Sequence, residues 1–252
     1  MHHLITLFAG CLLYPPADDP CKEARAAQYE FLRRVNAAEV QWAANGSVSL
    51  LMAPKGIALK TGIEGFKVGQ PAPELLEKVG PAMLATGREE LRVINVTRAS
   101  EMPERMPNRR TIVRLGEYIR DREVSLSSVN IALDEQTNEV TMLVVGFFLP
   151  DRGLSHEPRL TAAQARAKLE AELRAIPYQE MNPTFEDTPA RLAYSFEQWG
   201  SDGGAGIGGA LVWVFAAQFP PAGDEVQIGN LMVDATTGKI TPRDNLMRYW
   251  NR

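Results

Sequence analysis

The sequence has little of what metal, thiol or imidazole chemistry requires. Its 252 residues include three histidines and two cysteines. His2 and His3 stand at the start, which leaves His156 as the one histidine beyond the first 21 residues. A thermolysin-type zinc site needs H-E-x-x-H, because two histidines four apart share one helix face. His156-Glu157 begins that pattern, but Leu160 occupies the second histidine position and Pro158 interrupts the helix. The dipeptide reads as part of a polar linker. A Ser-His-Asp or Cys-His centre would also have to use His156, and no G-x-S-x-G turn is present. No catalytic residue, metal ligand or cofactor site is therefore expected. Cys11 and Cys21 lie too close together and too near the N-terminus to staple a core. They either pair in an oxidising compartment or stay free.

Excess positive charge is also missing. The net charge is -4, with Lys and Arg scattered along the chain, so nothing draws it to nucleic acid or an anionic membrane. The short cluster Arg105, Arg109, Arg110 reads as a solvated loop. No apolar run near the N-terminus is long enough to span a bilayer. Leu4–Leu13 has ten residues, which suits the h-region of a signal peptide, although no Lys or Arg precedes it. Leu7–Cys11 is similar to a bacterial lipobox with Phe8 where Leu is preferred, making Cys11 a lipidation candidate; a plain secretory signal is the alternative. Tyr14–Pro20, rich in Pro and Asp, reads as a tether, so residues 1–21 form a leader and the protein is expected to be extracytoplasmic.

Other motif-like segments reduce to structure. Gly204–Gly209 spells G-x-G-x-x-G, but the next segment, Ala210–Phe219, is strand-like, whereas a pyrophosphate site needs a helix there. Asp134–Glu139 has the alternating oxygens of a calcium loop, yet Glu139 replaces the required Gly and Val145 the final Glu; it reads as a hairpin turn. The acid pairs Asp18-Asp19, Glu89-Glu90 and Glu186-Asp187 read as solvated surface. Trp199, Trp213 and Trp250 read as packing residues. Trp42 is expected on one face with Val40.

What is present is a β-rich chain with helices at intervals. Arg110–Arg120, Glu123–Asp134 and Glu139–Leu149 predict three consecutive strands, turned at Asp121-Arg122 and at Glu135–Asn138. The third contains VTMLVVGFFL, apolar on both faces, which predicts a central strand covered on both sides. In the second the apolar phase moves from Val124 and Leu126 to Val129, Ile131 and Leu133, predicting a bulge near Ser127-Ser128. Upstream, Lys22–Asn36 predicts a helix with Ala24, Ala27, Phe31 and Val35 inward. Glu39–Ala44 and Ser47–Met52 flank the hairpin signal Asn45-Gly46. Pro73–Leu84 predicts a helix ended by Gly87, and Arg88–Ala99 a strand.

Asp151–Arg159 marks the expected boundary. Beyond it Thr161 caps a predicted helix, Ala162–Ala175. After a polar loop, Pro177–Pro189, come predicted strands at Arg191–Trp199, Ala210–Phe219, Val226–Ala235 and Lys239–Thr241, then a short helix at Asn245–Arg252. The fold class is α+β: two successive modules of antiparallel sheet, residues 22–150 and 151–252, each packed with a helix.

Leu160–Ala165 opening a helix, Arg191–Tyr194, Val212–Phe215 and the ending Val233–Ile240 (V-D-A-T-T-G-K-I) resemble a PepSY domain. Val40–Trp42 with Asn45-Gly46, Val113–Tyr118, Val129–Asp134 and Thr137–Val140 resemble the FTP (fungalysin/thermolysin propeptide) module. Together they cover roughly residues 36–242, in the order found in prosegments of secreted thermolysin-like zinc proteases. The resemblance implies a cystatin-like or PepSY-like, non-catalytic protein that binds and inhibits or chaperones a thermolysin-like metalloprotease. The alternative partner is another envelope protein or peptide. The prosegments precede a catalytic domain; this sequence ends at Arg252.

Overall fold

The structure is a computed structural model that describes residues 22–43, 46–103, 110–125, 127–151, 153–175, 183–185, 188–196, 209–222 and 225–241. Cys11, Cys21, Trp199, Trp250, Arg105, Arg109, Glu186-Asp187 and the predicted C-terminal helix lie outside these residues.

The architecture is α+β. The first part runs α1 (Lys22–Arg34), β1 (Glu39–Trp42), β2 (Val48–Ala58), α2 (Pro73–Val79), β3 (Glu89–Thr97), β4 (Thr111–Ile119), β5 (Arg122–Glu123), β6 (Ser128–Asp134) and β7 (Glu139–Phe147). These strands form one antiparallel sheet in the order β1-β2-β7-β6-β4-β3, with β5 paired to β4. The second part runs α3 (Ala162–Ala175), β8 (Thr184–Phe185), β9 (Arg191–Phe196), β10 (Gly209–Ala222), β11 (Glu225–Asp234) and β12 (Ile240–Thr241). Here β11 and β10 are the long central pair, with β12 beside β11 and both β8 and β9 beside β10.

One face of the first sheet carries the core. Val48, Leu51, Val113, Leu115, Val129, Ile131, Leu143 and Val145 point inward to meet Phe31 of α1, Val35 just after it, and Leu75 and Val79 of α2. In the α1 stripe, Ala27 is exposed and Gln28 is buried instead. Its amide donates to the carbonyls of Ala82 (2.8 Å) and Gly46 (3.1 Å), so a polar side chain ties α1 to two turns. The predicted helix from Pro73 ends early: α2 stops at Val79 and a 3-10 turn, Gly80–Met83, follows. Pro81 has no N–H to continue the α-helical ladder. Left-handed Leu84 (φ 60°), not Gly87, terminates the segment.

Each predicted strand has a counterpart, with shifted ends and one division. β2 continues through Pro54 to Ala58 because its pairing with β7 slips between Met52 and Ile57, and the bulge absorbs a residue that cannot donate to the ladder. The predicted strand Glu123–Asp134 is two: β5 pairs with β4 and then leaves the sheet, and β6 begins at Ser128. A register shift between Ser128 and Val129 lies where the apolar phase changes. The first turn is Arg120-Asp121, both left-handed (φ 51° and 60°), one residue before the predicted pair. β7 is central, but among the described residues no helix packs on its second face, where Met142 and Val144 are half-buried. Trp42 shares the helix-side face with Val40 as expected, since Val40 opposes Leu51 and Trp42 opposes Val48; the register shift between Gln41 and Trp42 is taken up by an extra residue in β2.

In the second part, the Thr161 side chain accepts from the Gln164 N–H (3.2 Å) and the Gln164 side chain accepts from the Thr161 N–H (2.9 Å). This reciprocal cap starts α3 as predicted. Ala165, Leu169 and Leu173 of α3 pack on Phe215, Ala217, Leu231 and Val233. Asp234 accepts from Thr236 and Thr237 N–H to close the turn before β12. The polar loop Pro177–Pro189 contains an unpredicted short strand, β8. Among the described residues no helix is long and apolar enough to cross a membrane.

Candidate functional site

Two places collect side chains that the fold alone does not require. The first is the joint where the sheets meet. β4 alternates Val113, Leu115, Glu117 and Ile119 toward the core, so the pleat carries a carboxylate inward with the apolar residues. After β5 the chain crosses to the second sheet: Val124 bridges Tyr194 of β9, and the Ser125 N–H donates to the Tyr194 carbonyl (2.7 Å). Ile119, Val124, Leu149, Tyr194, Leu211 and Ala235 close around this crossing.

Six titratable side chains line the joint: Glu89, Glu117, Arg122, Asp151, His156 and Tyr194. Glu117 is sealed; Leu149 N–H donates to it (3.0 Å), and Ser127 Oγ lies 2.9 Å from both Glu117 Oε2 and the Phe147 carbonyl. The single Ser127 proton cannot serve both acceptors. A protonated Glu117 donating to Ser127 Oγ, which donates to Phe147, satisfies all three. This agrees with a Glu117 carboxyl held well above its ordinary range by burial, against the pull of the Leu149 and Ser127 bonds. Glu89, expected on the surface, is 5% exposed. It accepts from Thr86, Gly87 and Arg88 N–H and from Asp151 N–H (2.7 Å), pinning the linker to the start of β3.

His156 is not a free linker residue. Its Nδ1 lies 2.6 Å from the Tyr194 hydroxyl and its Nε2 3.3 Å from Asp151 Oδ1. A carboxylate only accepts, so Nε2 carries hydrogen, and in the neutral ring Nδ1 accepts from the tyrosine. Arg122 donates to the His156 carbonyl (2.6 Å). Burial pushes the Tyr194 phenol up, opposed by Arg122. Asp151 Oδ2 has no partner. The part-buried imidazole thus faces a tyrosine and a carboxylate, a placement that ties the linker to the second sheet.

The second place is the open end of the first sheet. β1 pairs with β2 on one side only among the described strands. Beside it Tyr29 of α1 and Trp42 are 63% and 47% exposed, with ring centroids 6.4 Å apart. Around the corner, an open groove of about 640 Å³ runs between α1, α2 and β3, lined by Ala24, Ala27, Leu76, Pro81, Leu84 and Leu91 among others.

The remaining predicted sites resolve simply. Gly209 starts β10, so the described end of the Gly-rich segment enters a strand. Trp213 packs against the cores of the second part and donates to the Leu160 carbonyl (2.8 Å). Glu90 is partly exposed and pairs with Arg92. Cys11 lies outside the described residues. Sequence reasoning missed Glu117 and Glu89, although both fall in the buried phase of their strands. It also missed the His156–Tyr194 contact, which no local pattern encodes.

No family model matches the chain, and no curated protein matches its sequence. Among solved structures the chain is similar to the Bacillus megaterium YpeB C-terminal domain, at 10% identity and TM-score 0.30, covering 78% of this chain and 71% of that one. It is also similar to an uncharacterized protein from Eubacterium rectale, at 12% identity and TM-score 0.38, covering 90% and 82%. Similarity at this level carries no argument about function.

Proposed function

We propose that this chain is a non-catalytic, extracytoplasmic binding protein built from two modules, residues 22–150 and 151–252, whose open edge strand β1 takes an extended segment of a partner protein. The carrying observation is that edge with two exposed aromatic rings beside it. An unpaired strand edge offers a ladder of N–H and C=O groups to an incoming strand. Exposed Tyr and Trp supply the rigid anchors that dominate binding energy at interfaces. The chain's polar joint is in keeping with the non-catalytic part of the reading, because Glu89 and Glu117 bond backbone groups and Ser127, and His156 bonds Tyr194 and Asp151.

The motif resemblances name the partner: a secreted thermolysin-like zinc metalloprotease, inhibited or chaperoned by the bound chain. The test is a titration of the purified chain against such a protease, following peptide hydrolysis. Inhibition that saturates near one-to-one with the chain intact is the expected result. Unchanged hydrolysis, or digestion of the chain, rules the protease out. The apolar groove between α1 and α2 favours a second reading, a PepSY-type envelope module that holds a peptide with no protease partner.

A further inference from the structure

The first sheet has two faces, and the described helices α1 and α2 pack on one of them. On the other, the register sets two rows across the strands. One row runs Gln41, Leu50, Val144, Asn130, Arg114, Asn95, and the next Glu39, Met52, Met142, Ala132, Ile112, Thr97. The middle of these rows is apolar and the ends are polar. Leu50, Met52, Ile112, Met142 and Val144 are half-buried and belong to none of the apolar cores of the described residues. A contiguous apolar patch rimmed by polar groups on a sheet face marks an interaction surface. Paired methionines let such a surface adapt to what it meets. Two exposed charges flank the patch: Glu39 of β1, which shares a pocket with Arg110, and Arg114 of β4, one strand in from the β3 edge.

We propose that this face binds a second copy of this chain, sheet against sheet, about a twofold axis parallel to the strands and passing over β7. Such an axis exchanges the two margins. It sets Met142 and Val144 against their own copies and Leu50 and Met52 over the β6 row of the other chain. It brings Glu39 of each copy to the β4 margin of the other, within reach of Arg114. An axis perpendicular to the strands would instead oppose like charges, so the charge pattern selects the first arrangement. Two sheets packed this way lie about 10 Å apart, with their side chains interleaved. The face meets the β1 edge only at Glu39 and Gln41 and does not include the α1–α2 groove; sheet-face contacts of side chains, not the backbone edge of β1, carry it, so its test by sedimentation is distinct from the strand-addition test.

The test is sedimentation of the full chain at micromolar to 100-micromolar concentration, roughly the range in which standard-size interfaces associate, alongside thermal melts. The wild-type chain is expected to dimerise. Val144→Asp is expected to give a monomer with its melting transition retained, since the side chain is on the open face. Glu39→Arg and Arg114→Glu are each expected to weaken the dimer at least about tenfold, and the double variant to restore it, as reciprocal charge reversal does at a complementary contact. A wild-type chain that stays monomeric overturns the proposal. So does a dimer that survives Val144→Asp, or a double variant no tighter than either single one.

Discussion

The Tyr194 hydroxyl meets Nδ1 of His156 at 2.6 Å, across 38 residues of sequence and from the second sheet to the linker. With Asp151 on the other ring nitrogen, this contact fastens the linker between the sheets. Tyr194 is fully buried, so Tyr194→Phe leaves the part-buried ring nitrogen of His156 without that bond. The expected loss is about 1–3 kcal/mol, read as a lower midpoint in urea unfolding with the slope unchanged. An unshifted midpoint would show that the contact adds nothing to the joint.

Glu117 gives a pH dependence with a definite sign. Its carboxyl is held well above the ordinary range in the folded chain, so the folded state keeps a proton that the unfolded state has released. Stability from this group is full below about pH 4, the ordinary glutamate range, and is lost as pH rises through the raised folded value. Glu117→Gln is neutral at every pH and keeps a donor for Ser127 Oγ. The variant is expected to flatten that decline and to exceed the wild type in melting temperature at pH 8. An equal decline in both proteins would place the titration elsewhere.

Gln28 fills a core position on α1 with an amide satisfied by two carbonyls. Gln28→Leu keeps the bulk and removes both donors, leaving the Ala82 and Gly46 carbonyls short of a partner. A destabilisation of about 1–3 kcal/mol is expected in chemical denaturation. A neutral result would mean that water replaces the amide.

Much of the fold was legible because period-2 and period-3.6 patterns report which face is buried. α3 was readable to the residue, since Thr161 and Gln164 form its cap and Ala165, Leu169 and Leu173 its stripe. The α2 region misled because Pro81 sits inside a helical pattern and a leucine, not a glycine, takes the left-handed turn. β7 misled in a different way. An apolar second face looks like a covered strand, and among the described residues no helix packs on it. The joint was only half legible: Glu117 and Glu89 occupy inward phases, whereas His156 acquires its partners from Asp151 and Tyr194 through tertiary contact. The edge site was half legible: the alternation puts Trp42 on the face of Val40, whereas its exposure beside Tyr29 follows from where β1 lies in the sheet.

Gly56 marks the bulge that lets Pro54 sit inside β2. Its φ is +69°, and a Cβ there would stand 2.5 Å from the Cβ of Glu139. Gly56→Ala therefore meets both a left-handed backbone and a neighbouring strand, and is expected to cost about 1–3 kcal/mol. A calorimetric melt within a degree of the wild type would show that the bulge relaxes.

The claim that β1 receives a partner strand is tested most directly by hydrogen exchange of the chain alone and with an active-site-blocked thermolysin-like protease. Strand addition predicts slowed amide exchange at Glu39–Trp42 on binding, and loss of that protection together with weaker binding in Trp42→Ala. Binding that leaves exchange at Glu39–Trp42 unchanged would contradict it.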